Sequence, residues 1–518
     1  MKHLNNLHVL VLGLGESGLA MTRWCAANGA TVRVWDSRDP APHASAVAEL
    51  APAVTLLHGE LTDAAFDGVQ LVLKSPGLSP RDPRIAAPLQ RAVQAGVAVQ
   101  GELDLFARAL ADLKVERGYA PKVVAITGTN GKTTTTAMAA LLITRTGKRV
   151  AAAGNIGPTM LQTLADGLTS AFAGNDANQT LPDVWVLELS SFQLDGVSHF
   201  EPDAAVVLNV TEDHLDWHGD MAAYVAAKAR VYGQNAVMVV NRDDAAVERM
   251  VPAAVPGKGR FAKPVLRSVV RFGLDAPKHP GDYGLVTENG MAWLVRALEA
   301  DETVKRSRKG ADDAIELHIQ RLMPADALRV RGRHNAANAL AALALATAID
   351  CPLAPMLHGL RDYSGEPHRV QFVAGIHGVD AFDDSKGTNV GATVAALNGL
   401  GDDRAPAKLV VILGGDGKGQ DFAPLAVPVQ RHARAVATLG RDAQRIEAAL
   451  AGTGIPLQRH DTLEAATRWA FARAQSGDAV LLSPACASLD MFRNYGHRAE
   501  VFVAEVLALA AEQGEVAA

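Results

Sequence analysis

The amino-acid sequence predicts an α/β protein of three domains whose sheets are mainly parallel. Short runs rich in Val, Ile and Leu recur along the chain, and each is followed by a glycine-containing turn and an Ala- and Leu-rich helical stretch. Continuous rather than alternating apolar strands are typical of parallel sheets that are buried on both faces. A chain of 518 residues is also too long for a single hydrophobic core. We expect a Rossmann-like N-terminal domain, a central P-loop-type mononucleotide-binding domain and a Rossmann-like C-terminal domain.

The spacing of these strand–turn–helix units predicts domains at residues 1–106, 107–365 and 366–518. Strands are predicted at His8–Leu12, Thr31–Trp35, Leu71–Lys74, Val123–Thr127, Val184–Leu189, Ala205–Val210, Val379–Phe382, Leu409–Leu413, Ala435–Leu439 and Ala479–Leu482. Two further stretches, Gly174–Pro182 and roughly Pro252–Pro324, lack a clear periodicity. We expect both to form surface loops outside the functional site.

Composition and charge exclude several classes of partner. With 50 basic and 56 acidic side chains the formal net charge is −6, which gives no reason to expect a nucleic acid or an anionic membrane surface. The three cysteines, Cys25, Cys351 and Cys486, have neither the spacing of a metal site nor that of a disulfide framework. No run of about 18 apolar residues occurs that could span a bilayer. We expect a monomeric, soluble, cytoplasmic protein that acts on small molecules.

The first domain contains a glycine fingerprint between a strand and a helix. The strand His8–Leu12 leads into Gly13-Leu14-Gly15-Glu16-Ser17-Gly18, and Asp36 ends the next strand. Such glycines let the backbone approach a pyrophosphate, while the helix N-terminus offers N–H groups to it. This context favours a diphosphate site over a merely structural turn. NAD and a UDP-sugar both fit the motif, and Ser75-Pro76-Gly77 should lie at the same edge of the sheet.

The second domain begins with a phosphate loop. The strand Val123–Thr127 runs into Gly128-Thr129-Asn130-Gly131-Lys132-Thr133-Thr134, and a helix is predicted from there to about Arg145. Backbone amides of such a loop cradle phosphates, the lysine reaches the terminal phosphates and the threonine hydroxyl can bind Mg²⁺. The loop is a variant, because Ile126 occupies the position of the first glycine in the standard spacing.

Polar side chains follow the next two strands of the second domain. Glu188 and the string Thr211-Glu212-Asp213-His214 each come after a buried strand, and the ends of parallel strands meet at one sheet edge. We therefore expect Lys132, Glu188 and His214 to converge. Hard oxygen ligands at this edge suit Mg²⁺, although a single histidine is more often a packing residue. Lys228 lies in an Ala-rich helix that should begin after Asp220. Its local sequence alone predicts a solvent-exposed helix lysine.

The third domain repeats this arrangement at three strand ends. The strings are Asp383-Asp384-Ser385-Lys386-Gly387-Thr388-Asn389, Gly414-Gly415-Asp416-Gly417-Lys418-Gly419, and Ser483-Pro484-Ala485 with Ser488. One of them alone could be a turn with a surface lysine. Three at equivalent edges of one sheet indicate a site for a polar, anionic ligand. His368 and Arg369 should lie near the junction with the nucleotide domain.

Taken in order, these motifs resemble the Mur ligase family. The matching strings are GLGESG, GTNGKTTT, GNIG, ELSSFQL, NVTEDHLD, AAKARVY, GRHNAANALAALALA, EPHR, DDSKGTNVGATVAAL, GGDGKGQDF and LLSPACASLDMFRNY. Single strings are weakly specific, whereas the ordered set covers all three domains and is highly specific. One departure is Tyr495, which stands where the family often has phenylalanine.

The resemblance implies roles for individual residues. Catalytic roles are implied for Lys132, His214, Lys228 and Lys386, with His368 lining the same junction. ATP would be bound by Gly128, Thr129, Asn130, Gly131, Lys132, Thr133, Thr134, Asn155, Asn338, Arg369 and Asp384. The UDP-substrate would be bound by Gly15, Glu16, Ser17, Asp36, Ser37, Arg38, Gly77, Asn155 and Ser190. D-glutamate would be bound by Thr388, Lys418, Ser488 and Tyr495. Two Mg²⁺ ions would be held by Thr133, Glu188, His214 and Lys228, the last as N6-carboxylysine.

The activity implied by the resemblance is ATP-dependent addition of D-glutamate to UDP-N-acetylmuramoyl-L-alanine through an acyl phosphate and a tetrahedral intermediate, in peptidoglycan precursor synthesis. A folate polyglutamate-type ligase is one alternative, but it would lack the N-terminal UDP-binding block. An NAD-dependent dehydrogenase would explain GLGESG and Asp36 but not GTNGKT or the other two domains. The string Asn241-Arg242-Asp243-Asp244 weakly resembles the guanine-binding NKxD motif of a GTPase-like switch, although Arg242 is the wrong residue. Such a switch would also not need the third domain.

Overall fold

A computed structural model describes residues 2–172, 181–255, 266–300, 316–330 and 332–514 of the chain. It contains a five-stranded, a nine-stranded and a six-stranded sheet, with helices between the parallel strands. The predicted α/β class with mainly parallel sheets is thus confirmed. Most of the predicted loop 174–182 lies outside the described residues. Within the described ranges, no helix is both long and apolar enough to cross a bilayer.

The first sheet is entirely parallel, with the strand order β3-β2-β1-β4-β5. Its strands are β1 (His8–Leu12), β2 (Thr31–Trp35), β3 (Val54–Leu57), β4 (Leu71–Lys74) and β5 (Ala98–Gln100). Because β1 lies between β2 and β4, the connections leave β1 and β4 in opposite directions and open a crevice at their carboxyl ends. A Cβ on Gly18 would lie 1.9 Å from the carbonyl oxygen of Gly13, so only glycine permits this turn.

The second sheet has the order β14-β13-β12-β11-β10-β9-β6-β8-β7. Its strands are β6 (Lys122–Thr127), β7 (Val150–Gly154), β8 (Val184–Glu188), β9 (Ala204–Val207), β10 (Val237–Asn241), β11 (Val269–Phe272), β12 (Tyr283–Glu288), β13 (Met291–Glu299) and β14 (Leu317–Pro324). The strand predicted at Ala205–Val210 ends early, because Asn209 turns to bind the phosphate loop: its carbonyl accepts from Thr129 N at 2.9 Å and its side chain from Asn130 N at 2.8 Å.

The described part of Pro252–Pro324 is not all loop, which corrects the prediction. Strands β12, β13 and β14 form an antiparallel extension at one edge of the second sheet. Asn289 and Gly290 join β12 to β13, and both have positive φ, 52° and 80°. Asn-Gly with two positive φ angles is the signature of a tight β-hairpin, and this dipeptide was the overlooked signal in the sequence.

The third sheet has the order β15-β16-β20-β17-β18-β19, with only β15 antiparallel. Its strands are β15 (Gln371–Ile376), β16 (Val379–Asp383), β17 (Leu409–Gly414), β18 (Ala433–Leu439), β19 (Leu457–Arg459) and β20 (Ala479–Leu482). The predicted strands of this domain are therefore all present. The carboxyl ends of β16, β20, β17 and β18 lie side by side at one edge.

Helices cover both faces of the sheets. Those of the first unit are Glu16–Ala27, Ala44–Ala48, Ala86–Gln94 and Glu102–Arg117. The second unit contains Lys132–Arg145, Met160–Phe172, Ser191–Leu194, Leu215–His218, Met221–Ala229, Ala245–Glu248, Arg333–Ala348 and Leu353–Asp362. The third contains Val390–Arg404, Ala426–His432, Ala443–Leu450, Leu463–Arg473 and Tyr495–Glu512.

The helix Glu102–Arg117 joins the first two units. It runs across the predicted domain boundary after residue 106, and one buried hydrophobic cluster extends from β1 through this helix into β8. Within that cluster Phe106 and Trp185 pack edge to face with ring centroids 4.9 Å apart. Because these apolar side chains are buried together, the hydrophobic cluster fixes the position of the crevice in the first sheet relative to the phosphate loop of the second.

Candidate active site

A cavity of about 410 Å³ opens at the carboxyl ends of β1, β2 and β4. The seven residues of the first domain for which UDP-substrate contacts were predicted all line it, namely Gly15, Glu16, Ser17, Asp36, Ser37, Arg38 and Gly77. The cavity therefore lies at the crevice that the strand order creates, next to the N-terminus of the helix Glu16–Ala27. Its position fits a diphosphate-containing ligand.

The carboxylate of Asp36 forms hydrogen bonds with neighbouring residues of the chain and is not free to bind a ribose. Its carboxylate accepts from Leu14 N at 2.6 Å and from Arg38 Nε at 2.8 Å. Burial acts to raise the pKa of Asp36, but the bonds from Arg38 and Leu14 outweigh it and lower the pKa to about 2. Asp36 therefore holds the guanidinium of Arg38 at the cavity. In a dinucleotide-binding site, by contrast, the carboxylate at this position accepts hydrogen bonds from the ribose of the ligand.

The phosphate loop begins the helix Lys132–Arg145 with Gly131 at φ 82°. A Cβ at that position would lie 2.6 Å from Asn338 Oδ1, so the loop packs directly on the helix Arg333–Ala348. Lys132 Nζ donates to the carbonyl oxygens of Gly128 and Thr129, both at 2.9 Å. Burial lowers the pKa of Lys132, while the nearby carboxylates of Glu188 and Asp213 act to raise it.

Glu188 ends β8 as a fully buried carboxylate. Its Oε1 accepts from Asn155 Nδ2 at 2.9 Å, whereas its Oε2 is buried with no hydrogen-bond partner. A buried oxygen of this kind is costly unless a cation or donor joins it. Within the described residues there is no cluster of three or more His, Cys, Asp or Glu that could hold a metal by itself. The unpartnered oxygen of Glu188 is a hard donor of the kind that Mg²⁺ binds, and Mg²⁺ commonly takes only one or two protein ligands beside phosphate and water.

His214 lies beyond β9 in a left-handed conformation, with φ 54°. Phe192 packs edge-on against its imidazole, with ring centroids 4.7 Å apart. Burial lowers the pKa of His214 to about 4; Asp213 acts against this shift, and the charges of Lys418, Lys132 and Lys228 add to it. The imidazole is therefore neutral at pH 7. Lys418 belongs to the third domain, so charges of both domains act on this imidazole.

Lys228 is not a solvated helix residue, which corrects the interpretation from its local sequence. It is 1% exposed, and its Nζ donates to the carbonyl oxygen of Gly128 at 2.8 Å. The ammonium also lies 4.6 Å from the centroid of the Tyr224 ring. Burial lowers the pKa of Lys228 far below its usual value, and the charge of Lys132 lowers it further. Tyr224 of the same helix, Met221–Ala229, also contacts the phosphate loop, with its hydroxyl 3.0 Å from Thr129 Oγ1.

The second and third domains meet at the predicted ATP residues. Arg369 Nη2 donates to Thr133 Oγ1 at 2.9 Å, and Asn389 Nδ2 donates to Asn130 Oδ1 at 3.0 Å. A small cavity of about 70 Å³ lies at this junction and adjoins a larger one of about 640 Å³. Predicted ATP residues that line the small cavity are Asn130, Gly131, Thr134, Asn338, Arg369 and Asp384.

Asp384 and Lys386 have unusual proton affinities at this junction. Burial raises the pKa of Asp384 to about 7, although Ser483 Oγ donates to its Oδ2 at 2.6 Å. Burial lowers the pKa of Lys386 to about 8, and the charge of Arg369 contributes in the same direction. The ammonium of Lys386 lies 5.5 Å from the ring centroid of Tyr495. At pH 7 Lys386 is therefore still mostly charged, but its ammonium loses a proton more readily than that of an ordinary lysine.

The remaining predicted residues are distributed around the same edge. His368 Nδ1 lies 2.7 Å from Asp383 Oδ2. Thr388 follows β16, Ser488 is buried beyond β20, and Lys418 lies beyond β17 with a positive φ of 50°. Ser190 of the UDP-substrate set caps the helix Ser191–Leu194, where its hydroxyl accepts from Gln193 N at 3.3 Å.

Two residues with evident structural roles at this edge were missed from the sequence. Arg498 is buried in the helix Tyr495–Glu512 and donates to the carbonyl oxygens of Cys486 and Ser385, at 3.1 and 2.8 Å. Asp442 follows β18 and accepts from Gly417 N at 2.7 Å. A helix arginine carries no local sign of burial, so Arg498 could not have been recognised. The Gly-Arg-Asp turn directly after a predicted strand was a usable signal for Asp442.

Three family models match consecutive parts of the chain. Residues 7–101 match the MurD-like N-terminal domain of Mur ligases, residues 126–346 the Mur ligase middle domain, and residues 368–486 the Mur ligase glutamate ligase domain. The chain belongs to the Mur ligase family. This agrees with the resemblance carried by its motifs, and the three matches follow one another in the order of the three sheets.

Curated relatives extend this Mur ligase assignment over almost the whole chain. The UDP-N-acetylmuramoylalanine–D-glutamate ligase of Albidiferax ferrireducens is 57% identical over 516 residues, which covers 99% of this chain and 98% of the relative. The protein of the same name from Burkholderia pseudomallei is 56% identical over 513 residues, which covers 98% of both chains.

Solved Mur ligases share the fold at low sequence identity. The UDP-N-acetylmuramate-alanine ligase of Thermotoga maritima is similar with a TM-score of 0.55 and 19% identity, covering 97% of this chain and 100% of that one. A MurF ligase from Thermotoga maritima, solved in complex with ADP, has a TM-score of 0.55 and 17% identity, covering 98% and 99%.

Proposed function

We propose that this Mur ligase adds D-glutamate to UDP-N-acetylmuramoyl-L-alanine with hydrolysis of ATP, as a cytoplasmic step of peptidoglycan precursor synthesis. The observation that carries the proposal is one cleft shared by the second and third domains. Arg369 and Asn389 of the third domain donate to Thr133 and Asn130 of the phosphate loop, and residues of both domains line the two cavities at this junction. Lys132, Glu188 and His214 of the second domain would act in this cleft together with Lys386 and Lys418 of the third. The curated relatives bearing this activity in their names are similar over nearly the full chain.

The chemistry requires a carboxylate to be activated before an amine can attack it. The phosphate loop would hold the ATP phosphates with its backbone amides, and Lys132 would leave its two loop carbonyls to reach the terminal phosphates. Arg369, now bonded to Thr133, would contact the nucleotide from the third domain. Transfer of the γ-phosphoryl group to the L-alanine carboxylate gives an acyl phosphate, and breaks the bond between the γ-phosphorus and the β–γ bridging oxygen to release ADP.

Mg²⁺ is the cofactor that the donor set fits, and two ions are proposed. Glu188 with its unpartnered oxygen and Thr133 would hold one ion beside the phosphates, while His214 and a carboxylated Lys228 would hold the other. When bound, the ions neutralise charge on the transferring phosphoryl group. The chain's own contribution is to keep His214 neutral, so that its ring nitrogen has a free lone pair, and to bury Glu188 where its second oxygen lacks a donor.

Carboxylation of Lys228 follows from its burial. A neutral amine adds to CO₂, forming an N–C bond and releasing one proton, and the product carbamate is an oxygen ligand with a negative charge. An ammonium at the same position would repel a cation. Burial and the charge of Lys132 lower the pKa of Lys228 well below its usual value, which favours the neutral amine that adds to CO₂.

The acceptor amine then attacks the acyl phosphate. Thr388, Lys418, Ser488 and Tyr495 are proposed to hold the D-glutamate carboxylates, which leaves its amino group to face the second domain. Attack gives a tetrahedral intermediate that collapses to the amide and phosphate. Lys386, still mostly charged at pH 7, would stabilise the charge of this intermediate. Closure of the domains around the site would exclude water, which would otherwise hydrolyse the acyl phosphate.

The test is a coupled assay for ADP release from the purified chain with ATP and Mg²⁺. We expect turnover only when UDP-N-acetylmuramoyl-L-alanine and D-glutamate are both present, with L-glutamate and GTP as inactive substitutes. Turnover with a folate substrate, GTP hydrolysis without an acceptor, or a nicotinamide absorbance change would each contradict the proposal.

A further inference from the structure

Three loops at the carboxyl edge of the third sheet form one packed unit, which we call the acceptor frame. They are Gly414–Gly419 after β17, Gly440–Asp442 after β18 and Ser483–Asp490 after β20. The first and third loops carry Lys418 and Ser488, to which the proposed function assigns D-glutamate binding. The second loop has no assigned role, yet it makes hydrogen bonds to both of the others.

The backbones of the acceptor frame are in direct contact. Asp416 N donates to Ala487 O at 3.0 Å, and Ala487 N donates to Asp416 O at 2.8 Å. A Cβ on Gly440 would lie 2.7 Å from Asp490 Oδ2 and 2.8 Å from Gly415 Cα. Because no space separates the three loops, a displacement of one is transmitted to the other two.

Asp442 is the side chain that secures the lysine loop. Its Oδ2 accepts from Gly417 N at 2.7 Å, and its own N–H donates to Gly415 O at 3.0 Å. These two bonds lie on either side of Asp416, and the residue after Gly417 is Lys418. Asp416 in turn accepts from Lys418 N at 3.0 Å, which supports the left-handed conformation of that lysine.

Arg441 and Asp490 complete the connection to the serine loop. Asp490 Oδ2 accepts from Arg441 N at 2.9 Å, and Arg441 Nη1 donates to Asp416 Oδ2 at 2.7 Å. The Gly440–Asp442 turn therefore ties the loop of Ser488 to the loop of Lys418 through hydrogen bonds at consecutive residues.

We infer that Asp442 is a positioning residue for the acceptor amino acid: it holds Lys418 at a set distance from Ser488, and thereby determines affinity for a dicarboxylate such as D-glutamate. The inference rests on the proposed function and adds a residue to it. Two carboxylates on one small molecule require cationic and hydroxyl partners at a fixed separation, so loosening one loop weakens both contacts. Asp442 follows β18 in the third domain, and it lines neither the predicted UDP-substrate cavity of the first domain nor the small cavity at the phosphate loop.

The test compares Asp442→Ala with Asp442→Asn and with a matched control, Glu447→Ala. The amide oxygen of Asn can still accept the Gly417 N–H, whereas alanine leaves it unpartnered. Asp442 is the N-cap residue of the helix Ala443–Leu450 and accepts from Arg445 Nη1 at 3.2 Å. Glu447 lies in that helix and likewise pairs with an arginine, Arg459, but among the described residues it makes no hydrogen bond to the acceptor frame. The measurements are KM for each substrate, kcat, Tm, and amide hydrogen exchange of residues 414–419 without substrate.

We expect Asp442→Ala to raise KM for D-glutamate about tenfold with little change in kcat or in KM for ATP. Asp442→Asn should stay within about threefold of the wild type, Glu447→Ala should leave KM for D-glutamate unchanged, and exchange of 414–419 should accelerate only in Asp442→Ala. An unchanged KM for D-glutamate in Asp442→Ala, a parallel rise of all three KM values, or an equal effect of Glu447→Ala would overturn the inference.

Failure of the proposed function itself gives a different result. In that case the wild type shows no D-glutamate-dependent turnover, and the exchange measurement, which needs no substrate, still decides whether Asp442 holds the loop. Faster exchange in Asp442→Ala supports the positioning role, and unchanged exchange rejects it.

Discussion

Lys132 and Lys228 donate hydrogen bonds to the same acceptor, the carbonyl oxygen of Gly128, over 2.9 and 2.8 Å. Two ammonium groups on one carbonyl repel each other, and burial penalises both charges. Burial lowers the pKa of both lysines; the charge of Lys132 lowers that of Lys228 further, whereas the carboxylates of Glu188 and Asp213 act to raise the pKa of Lys132. This difference agrees with the proposed roles of Lys132 in phosphate binding and of Lys228 as the lysine that is carboxylated.

Replacing Lys132 with alanine should abolish ADP release, because the terminal phosphates lose their only loop cation. Binding of the UDP-substrate should remain nearly intact, since its predicted cavity lies at the first sheet. Isothermal titration with UDP-N-acetylmuramoyl-L-alanine, alongside the ADP assay, checks this division of labour. Equal loss of both activities would show that the two sites are not independent.

Carboxylation of Lys228 should be visible as a labile modification. Native mass spectrometry of the protein in bicarbonate buffer should show an added CO₂ that is lost on acidification, because carbamates decompose when protonated. Lys228→Arg should show neither the adduct nor activity, since an arginine is always charged and cannot add CO₂. An unmodified but fully active wild type would rule out the carboxylysine.

Asp384 should make stability depend on pH in a predictable direction. Its pKa is raised by burial from 3.8 to about 7, so between these values the folded state binds more protons than the unfolded state. Stability then falls as pH rises through this window, because the carboxyl must ionise in a buried position. Asp384→Asn removes this contribution, so the Tm difference, variant minus wild type, should increase from pH 4 to pH 7.

Arg498 should be important for stability as well as for the acceptor loops. Arg498→Met leaves the carbonyl oxygens of Ser385 and Cys486 without their donor, at a cost of about 1–3 kcal/mol for each buried group. Arg498→Lys can keep one of the two bonds and should lose less. Urea unfolding measures the free energy of both variants, and a methionine variant as stable as the wild type would contradict this account.

Gly18→Ala should damage the first domain selectively. Its Cβ would lie 1.9 Å from the carbonyl oxygen of Gly13, so the turn that lines the predicted UDP-substrate cavity must move. We expect loss of UDP-substrate binding while ATP still binds at the phosphate loop. Fluorescence titration with an ATP analogue provides the control for folding of the second domain.

The sequence predicted secondary structure best where an apolar strand is followed directly by a turn or a helix. The strands His8–Leu12 and Ala479–Leu482, and the helix that follows Gly131, appear where the sequence predicts them. Prediction failed for β12–β14, where one hairpin dipeptide was the only local signal, and at the end of β9, where Asn209 leaves the strand to bind the phosphate loop. Such a contact joins distant parts of the chain, and no local pattern encodes it.

The sequence by itself determined the fold class, the family and the strand ends at which polar residues collect, because hydrophobic periodicity and glycine turns act over a few residues. Only the tertiary structure decided which of those residues are buried or bonded to one another. Lys228 of the helix Met221–Ala229 is buried, Arg38 donates to the carboxylate of Asp36, and Asp442 accepts from the N–H of Gly417, the residue before Lys418. Burial and charge proximity depend on how separate elements pack, and these two quantities set the proton affinity and the position of each group in the site.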